Sequence, residues 1–471
     1  MILKKFVAII SLFIVFSITF FTPFLCFAIV WHNWGNNQVC ESKEIKYPSS
    51  LREVQDLIKL AGKEQEKIRF IGSSHSWSDL VCTPGYLVNT DKLNKIIEIN
   101  KEARTVKVEG GIKIKDLIKI LADNDLALSN QGFIAEQSIA GAISTATHGS
   151  SFYTGCLSDF IVELEIVDGL GNFHKISKDT NPGWLPILRV SLGALGCIYS
   201  VTIQCEDLFV LTHHRCVTGW DEAVKDYENN YRENDFYMFM GHPELDLVLH
   251  FFWNKSKQPI DSVLLYDLKD TFLNNNFISR MVIRSANFMP SLTSRLFAWW
   301  LHFIEKAPHN QHSHISLSPL KCPVSVKYYI EEELGVPVEN FTEAIGKFRA
   351  LCTDFRQKGN VGVGLITCRF LPAAYDSYLS PAYGRDTAFI TVNFINYFSN
   401  YEEFFKQFEQ ILAPFKPRPH WGKFHYLDQQ KVFDAYGDNV TKFNNLRKQL
   451  DPHSLFSNGF IDRCFGGSSP I

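Results

Sequence analysis

Two runs of small residues, at 72–76 and 129–151, constrain the fold of this chain more than any other feature. The first run is Gly72-Ser73-Ser74-His75-Ser76, and it follows a short strand-like segment at 68–71. Glycine and serine let backbone amides and hydroxyls approach a phosphate or an aromatic cofactor closely. The second run alone would be typical of a surface loop. Because a strand and a helix separate the two runs, together they predict a site for one bound cofactor.

The second run suits hydrogen-bond donors wrapped around a pyrophosphate. Its many small residues argue against a helix, and its few charges argue against an exposed loop. It lacks the GxGxxG pattern after a first strand, which disfavours a Rossmann nucleotide fold. Six of its small or polar residues are Gly132, Gly141, Ser144, Thr147, His148 and Gly149. His75 in the first run adds an imidazole nucleophile that can bond to an electrophilic cofactor carbon.

The composition favours large apolar cores and gives no sign of nucleic-acid binding. The net charge is -3, and no basic run is present to neutralise phosphates. The 471 residues, 46% of them hydrophobic, exceed one ordinary core and predict two domains. Eleven cysteines include no CxxC pair, so disulfides stay undetermined. His309, His312 and His314 imitate metal ligands, but without an HExxH motif or a cysteine pair we expect no metal site.

Strand, glycine turn and helix alternate in the first half of the chain, which predicts an α+β fold. A capping box at Ser50-Leu51-Arg52-Glu53 predicts a helix from residue 51. Strands are predicted at 68–71, 106–109, 164–168 and 200–205. We divide the chain into an N-terminal segment at 1–39, a first domain at 40–207 and a second domain at 208–465.

The N-terminal segment predicts a membrane anchor. Phe6 to Trp31 are 26 almost wholly apolar residues that follow Lys4 and Lys5, enough to span a bilayer. The lysine pair favours a cytoplasmic N-terminus, which places the rest of a single-pass protein on the non-cytoplasmic side. The main alternative is a signal cleaved after Ala28, which would export the protein. A second apolar stretch at 277–304 is interpreted as a buried helix ahead of a membrane-interface helix.

Several motifs resemble those of one family of flavoproteins. Gly72 to Ser76, Thr147-His148-Gly149, Gly155 with Leu157-Ser158-Asp159, and Gly193-Ala194-Leu195-Gly196 resemble the FAD-binding domain of the vanillyl-alcohol oxidase superfamily. Arg418-Pro419-His420-Trp421-Gly422-Lys423-Phe424-His425 resembles the signature of its sugar-lactone oxidoreductases, which include L-gulonolactone and D-arabinono-1,4-lactone oxidases. The resemblance implies a two-domain α+β FAD-binding fold with an α+β substrate cap at 208–465.

The resemblance also implies roles for individual residues. His75 matches the histidine that family members join to the flavin 8α carbon, with an unmodified loop histidine as the alternative. Residues 72–76 and the six residues of the second run would hold FAD. Lys423 would stabilise the anionic reduced flavin or orient the substrate oxygen, with Arg369 and His420 as further catalytic residues.

One departure from the family pattern affects the substrate. Relatives usually carry an acid two residues before the arginine that Arg369 matches, and here that position is Thr367. Glu333 is a candidate substitute acid. We expect oxidation of a sugar lactone, with an alditol oxidase or a membrane-tethered flavoprotein of decayed catalysis as alternatives. Gly132 stands where oxidases of the family tend to have glycine and plant dehydrogenases alanine, which predicts oxygen as acceptor, with a mere turn requirement as the alternative.

Overall fold

The computed structural model describes residues 29–243, 245–261, 307–317, 329–360, 363–395 and 400–467. Most of the predicted anchor, at 1–28, and the apolar stretch at 277–304 lie outside these residues. Within the described ranges, no helix combines the length and the apolar character needed to cross a membrane.

The first half of the chain forms small sheets that surround the predicted cofactor loops. Its strands are β1 (Ile29–His32), β2 (Val39–Ser42), β3 (Glu44–Lys46), β4 (Ile68–Ile71), β5 (Tyr86–Asn89), β6 (Ile96–Asn100), β7 (Thr105–Glu109), β8 (Leu126–Ala127), β9 (Ile161–Val167), β10 (Phe173–Ser177), β11 (Cys197–Gln204) and β12 (Glu206–Asp207). Its helices are α1 (Leu51–Glu64), α2 (Ile114–Ala122), α3 (Ile139–Ser144) and α4 (Leu185–Leu188).

These strands pair in four groups. Strands β3, β5 and β4 form a parallel sheet in that order, and β10, β9, β11, β7 and β6 form an antiparallel sheet. Strands β1 and β2 form a hairpin, and β8 pairs with β12. The antiparallel sheet packs against α2 and α3 around one large apolar core.

Local sequence signals account for most of these elements. Half of the capping box is confirmed, because the Ser50 side chain accepts a hydrogen bond from the backbone N–H of Glu53 at the start of α1. The reciprocal bond differs, since the Glu53 carboxylate accepts from the backbone N–H of Ser49. The four predicted strands are present as β4, β7, β9 and β11. The expectation that the second small-residue run contains no helix is wrong, since α3 lies inside it. Its apolar residues Ile139, Ala142 and Ile143 are buried, and this tertiary packing outweighs the poor helix propensity of the run.

The second half is built on an eight-stranded antiparallel sheet with the order β16-β13-β15-β14-β18-β19-β17-β20. The strands are β13 (Val210–Thr218), β14 (Phe236–Gly241), β15 (Val248–Ser256), β16 (His309–His312), β17 (Tyr329–Pro337), β18 (Val363–Leu371), β19 (Thr387–Ile395) and β20 (Arg418–Pro419). The helices are α5 (Trp220–Glu233), α6 (Ser313–Ser316), α7 (Phe341–Gln357), α8 (Tyr401–Leu412), α9 (Gln429–Tyr436), α10 (Asp438–Leu450) and α11 (Gly459–Phe465).

Helices α5, α7 and α8 cover one face of the large sheet. Sheet residues such as Ile366, Cys368 and Ile390 pack there against aromatic side chains of the three helices. Because side chains alternate along a strand, the intervening residues point to the opposite face. The alternation therefore assigns odd-numbered residues of β17, β18 and β19 to the face away from the helices: Glu331, Glu333, Thr367, Arg369, Phe389 and Thr391.

The C-terminal helices α9, α10 and α11 pack against the core of the first half. Tyr436, Phe443 and Phe460 belong to the same apolar cluster as Val108 and Leu164. The chain therefore crosses from the large sheet back to the first half after β20, although the boundary at residue 207 stays a prediction.

Candidate active site

The His75 loop borders a cavity that is partly open to solvent. Gly72, Ser73, Ser74, His75 and Ser76 all line it, together with Gly141 and Ser144 of the second run. Ser74 and Ala146 adopt left-handed φ values of 59° and 56°, which are uncommon for residues with a side chain. A left-handed residue in each run is consistent with loops shaped to surround a ligand.

His75 itself is held as a neutral imidazole. Burial, with a smaller contribution from the positive charge of Lys423, lowers its pKa to about 4. Its Nδ1 atom is buried and has no hydrogen-bond partner among the described residues. An uncharged ring with an unshared nitrogen is the form in which histidine acts as a nucleophile.

A buried arginine fixes the part of the cavity wall that the turn at 191–193 forms. The guanidinium of Arg69, on β4, donates four hydrogen bonds of 2.6–2.8 Å to the carbonyl oxygens of Leu80, Leu192, Gly193 and Phe456. These bonds hold the turn at 191–193 against the strand that delivers the His75 loop. The additional cavity-lining residues that the sequence analysis did not name include Gln137, Ser138, Thr145, Ser191 and Leu192. Gln137, Ser138 and Thr145 lie inside the second run, and the motif Gly193 to Gly196 was the available signal for Ser191 and Leu192.

Residue 72 has no room for a side chain. A Cβ atom at residue 72 would collide with the side chain of Ser138, which lines the same cavity. The cavity thus combines close backbone approach, several hydroxyl donors and one uncharged imidazole. These are features that fit the pyrophosphate and the isoalloxazine ring of FAD.

The segment 420–423 of the lactone-oxidase signature lies directly against the His75 loop. The backbone N–H of Trp77 donates to the carbonyl oxygen of Gly422 at 2.8 Å, and the Ser78 hydroxyl donates to the carbonyl oxygen of Trp421 at 2.9 Å. A Cβ atom at residue 422 would lie 3.4 Å from Ser76 Oγ. The structure therefore brings Lys423 and His420 beside the His75 loop, and their catalytic roles stay predictions.

Lys423 has a partner that the sequence analysis missed. Its ammonium forms an ion pair with Glu331 of β17 and lies 4.3 Å from the centre of a Trp77 ring. The Lys423 and Glu331 side chains are 15% and 12% exposed. Three successive glutamates at 331–333 inside a strand are a signal that the sequence offered, since charged runs are unusual in a central strand.

A second polar cluster surrounds Glu333. The Thr391 hydroxyl donates to Glu333 Oε1 at 2.8 Å, and His148 Nε2 and Arg369 Nη1 lie 3.5 and 3.6 Å from the same oxygen. Burial alone would raise the pKa of this carboxyl, but His148 and Arg369 outweigh burial and hold the pKa well below its usual range. Strand register places Thr367 opposite Thr391, which is opposite Glu333. Glu333 thus supplies a carboxylate in the row where Thr367 lacks one.

Backbone contacts fix one proton position on each of the two histidines of this cluster. His148 Nδ1 lies 3.0 Å from the carbonyl oxygen of Gly149, which only accepts, so this nitrogen carries a proton. His420 Nδ1 accepts the backbone N–H of Gly422 at 3.1 Å, so a neutral His420 carries its proton on Nε2. Burial, the largest cause, lowers the pKa of His420 to about 3 and keeps it neutral.

The positions of these protons affect whether the cluster can bind a metal ion. Ligand atoms of His148, Glu333 and His420 lie within 4.8 Å of one another, a spacing that suits a metal ion. However, Nε2 of His420 carries a proton, and the Arg369 cation lies beside the shared carboxylate. The arrangement therefore favours hydrogen bonding to a polar ligand over metal coordination.

The other predicted residues of the second run, Gly132, Thr147, His148 and Gly149, are not among the described residues that line the cavity beside His75. A Cβ atom at Gly132 would meet the Thr147 methyl carbon at 2.9 Å, whereas the φ angle of Gly132 is not left-handed. Its backbone conformation therefore does not require glycine, but the space beside it is restricted. Gly149 packs against Asn130, so a packing requirement explains its lack of a side chain, and its contact with the cofactor stays a prediction.

The hairpin of β1 and β2 covers the His75 loop. The Trp34 ring stacks on His75 with 5.0 Å between ring centres, and its backbone N–H donates to the carbonyl oxygen of Ser74 at 2.7 Å. A disulfide joins Cys40 of β2 to Cys82, which follows the loop. The sequence analysis left cysteine pairing open, since spacing alone does not specify it.

Comparisons with known proteins agree with this geometry. Residues 43–177 match the FAD binding domain family, and residues 201–464 match the D-arabinono-1,4-lactone oxidase family. The chain belongs to the D-arabinono-1,4-lactone oxidase family. The chain is therefore an FAD-dependent aldonolactone oxidoreductase with the expected two-domain α+β FAD-binding fold.

Several relatives align with nearly the whole length of this chain. It is 31% identical to L-gulono-1,4-lactone dehydrogenase from Mycobacterium tuberculosis, over 93% of this chain and 99% of the relative. It is 26% identical to L-gulonolactone oxidase from Mus musculus, over 93% of this chain and 98% of the relative. It is 26% identical to D-arabinono-1,4-lactone oxidase from Kluyveromyces lactis, over 91% of this chain and 94% of the relative.

The fold of this aldonolactone oxidoreductase also resembles solved structures. Cholesterol oxidase from B. sterolicum superposes with a TM-score of 0.78 at 19% identity, covering 93% of this chain and 96% of that one. A solvent-stable cholesterol oxidase gives a TM-score of 0.76 at 16% identity, with coverage of 92% and 97%. At these identities the likeness supports the fold alone.

Proposed function

We propose that this protein oxidises a CH–OH group of a sugar-derived 1,4-lactone, such as D-arabinono- or L-gulono-1,4-lactone, and passes the electrons to oxygen to give hydrogen peroxide. The observation that carries the proposal is the hydrogen bond from Trp77 to Gly422, which puts Lys423 and His420 against the His75 loop. Bound FAD supplies the acceptor for the two electrons and the hydrogen of the substrate carbon. The protein supplies binding, orientation and charge.

The polar groups near this junction are suited to a hydroxylated lactone. His420 offers a fixed Nε2–H donor, and Arg369 and Lys423 offer charged donors to ring or hydroxyl oxygens. Glu333 offers a buried carboxylate acceptor, with Thr391 already bonded to one of its oxygens. Donors and an acceptor held by backbone contacts would orient the reacting hydroxyl without reorganisation.

The names of the relatives favour a lactone over a polyol. The loss of an acid at Thr367 is the one feature that favours an alditol or a decayed site. Glu333 weakens the case for decay, because a buried carboxylate beside Arg369 and His148 is costly to keep unless it serves the site.

A covalent bond from His75 to the flavin 8α carbon is part of the proposal. The neutral ring and the unshared Nδ1 support it. The contact of Trp34 with the same ring supports a fixed imidazole orientation.

We propose oxygen as acceptor because Gly132 lacks the methyl group that would press on Thr147. The dehydrogenase name of one relative makes another acceptor the alternative. The proposed location is the non-cytoplasmic side of a membrane, with residues 1–28 as an anchor or a cleaved signal. The disulfide between Cys40 and Cys82 supports an oxidising compartment.

An oxygen electrode with a peroxide assay tests the proposal. We expect oxygen uptake and equimolar peroxide with aldono-1,4-lactones, and much slower uptake with alditols of the same carbon number. Lys423→Met should abolish the signal while the protein keeps its FAD. Faster turnover of alditols would contradict the proposed substrate, and cytochrome c reduction without oxygen uptake would contradict the proposed acceptor.

A further inference from the structure

Glu331 contacts the lysine that the proposed function places beside the flavin. It lies on β17, which runs along the 418–424 segment and binds it through the backbone. The N–H of His420 donates to the carbonyl oxygen of Glu333 at 3.0 Å, and the N–H of Phe424 donates to that of Glu331 at 2.8 Å. These two bonds fix the strand and the turn relative to each other, so Glu331 and Lys423 meet in a defined geometry.

The ammonium of Lys423 is held on two sides. Glu331 pairs with it on one side, and the Trp77 ring lies 4.3 Å away on another. Trp77 is itself fixed, because its indole N–H donates to the carbonyl oxygen of Tyr329 at 2.8 Å. An ammonium has three N–H donors, and Glu331 is the one protein acceptor recorded for Lys423 within the described ranges. The other two donors are available to a ligand.

We infer that Glu331 is a positioning residue that fixes Lys423 and offsets its charge, and thereby sets how strongly the site favours the reduced, anionic flavin. The inference rests on the proposed function, since it requires FAD beside Lys423. A lone buried ammonium would stabilise the reduced anion strongly. A paired ammonium stabilises it less, because the local net charge is near zero. Glu331 therefore keeps the reduced flavin easier to reoxidise.

Charge-changing variants test this inference without measuring turnover. Glu331→Gln keeps the shape and an oxygen acceptor but leaves the local charge at +1, and Lys423→Met leaves it at -1. The double variant restores a net charge of zero. Sulfite is the probe, because it adds to bound oxidised flavin more tightly where positive charge stabilises the product, and absorbance reports the binding.

We expect the sulfite dissociation constant to fall about tenfold in Glu331→Gln, equivalent to about 30 mV for a two-electron couple. It should rise at least as much in Lys423→Met and return to within about threefold of wild type in the double variant. Glu332→Gln is the matched control, because Glu332 is the adjacent residue and faces α8, where it lies near Glu409. We expect no shift in that control.

The outcomes separate the inference from the proposed function. Wild-type protein that binds no FAD would overturn both. FAD-loaded protein in which Glu331→Gln binds sulfite as wild type does, or in which Glu332→Gln shifts the constant equally, would overturn only the role of Glu331. A thermal unfolding curve of each variant identifies any loss of folding. If Glu331→Gln does not fold, Glu331→Asp should preserve the charge and a constant near that of wild type, and a tenfold shift there would contradict the inference.

Discussion

The backbone N–H of Trp77 donates a hydrogen bond to the carbonyl oxygen of Gly422 across 2.8 Å, joining segments 345 positions apart in the chain. Trp77 follows the His75 loop, and Gly422 precedes Lys423. This bond and the neighbouring one from Ser78 to Trp421 bring the two halves of the chain together at the proposed flavin site. The His75 loop and the lysine turn therefore act as one site, and each is open to a separate test.

Substitution of His75 tests the covalent flavin. We expect the wild-type chain to retain yellow fluorescence in denaturing electrophoresis and His75→Ala to lose it, because the neutral imidazole of His75 lines the cavity and its Nδ1 has no hydrogen-bond partner among the described residues. His453→Ala, which changes an exposed histidine, is the control and should keep the fluorescence. Fluorescence that runs at the dye front in the wild type would contradict the bond.

Gly132→Ala tests oxygen access. The added methyl group would lie 2.9 Å from the Thr147 methyl carbon, so one of the two side chains must shift. We expect the shifted side chain to fill space that oxygen would use. We expect reoxidation of reduced flavin by oxygen to slow about tenfold or more, a barrier increase of about 1.4 kcal/mol, with reoxidation by ferricyanide unchanged. Thr147→Ser in the same protein removes the crowding methyl and should restore part of the rate. Equal oxygen rates in Gly132→Ala and wild type would refute this role of Gly132.

Glu333→Gln tests the buried carboxylate. It leaves Arg369 and His148 without their shared anion, so we expect the free energy of unfolding at neutral pH to fall by about 3 kcal/mol. Because the folded-state pKa of Glu333 lies well below its ordinary value of 4.5, its contribution is complete above about pH 4.5 and is lost as the pH falls from there toward the folded value. Denaturant unfolding from pH 7 to pH 3 should therefore show the difference from wild type shrinking below pH 4.5. A difference that is constant with pH would contradict an ionised Glu333.

The disulfide between Cys40 and Cys82 should order the hairpin over the flavin loop. It closes a loop of 42 residues, for which chain entropy gives about 4 kcal/mol of stabilisation. In Cys40→Ser/Cys82→Ser we expect faster hydrogen exchange at 29–42 and at the Trp34 amide, which donates to Ser74. Reducing agent should reproduce this effect in wild type and add nothing in the double variant. Unchanged exchange would show that the hairpin holds without the bond.

The sequence predicted the elements whose signals are local. The helix N-cap at Ser50, strand β4 and the small-residue loop after it depend on neighbouring residues, and all are present. The helix α3 was missed because its stability comes from packing of Ile139 and Ile143 in the core, which composition does not reveal.

The site was predictable as a set of motifs but not as a set of contacts. Lys423 and His75 were predicted from the motifs that contain them. The contact of Glu331 with Lys423 was not, because it depends on how β17 pairs with the turn at 420–423. Glu333 was a candidate by residue type alone, and its place opposite Thr391, which in turn is opposite Thr367, follows from strand pairing. Pairing between distant strands depends on long-range packing, which a single sequence specifies only weakly.

The most direct test of the central claim is anaerobic mixing of the purified FAD-loaded protein with an aldono-1,4-lactone. The account predicts that the yellow absorbance of the flavin disappears at a rate that saturates with lactone concentration, and that Lys423→Met slows this loss at least about a hundredfold. Flavin that stays oxidised with D-arabinono- and L-gulono-1,4-lactone, while an alditol reduces it, would contradict the proposed substrate.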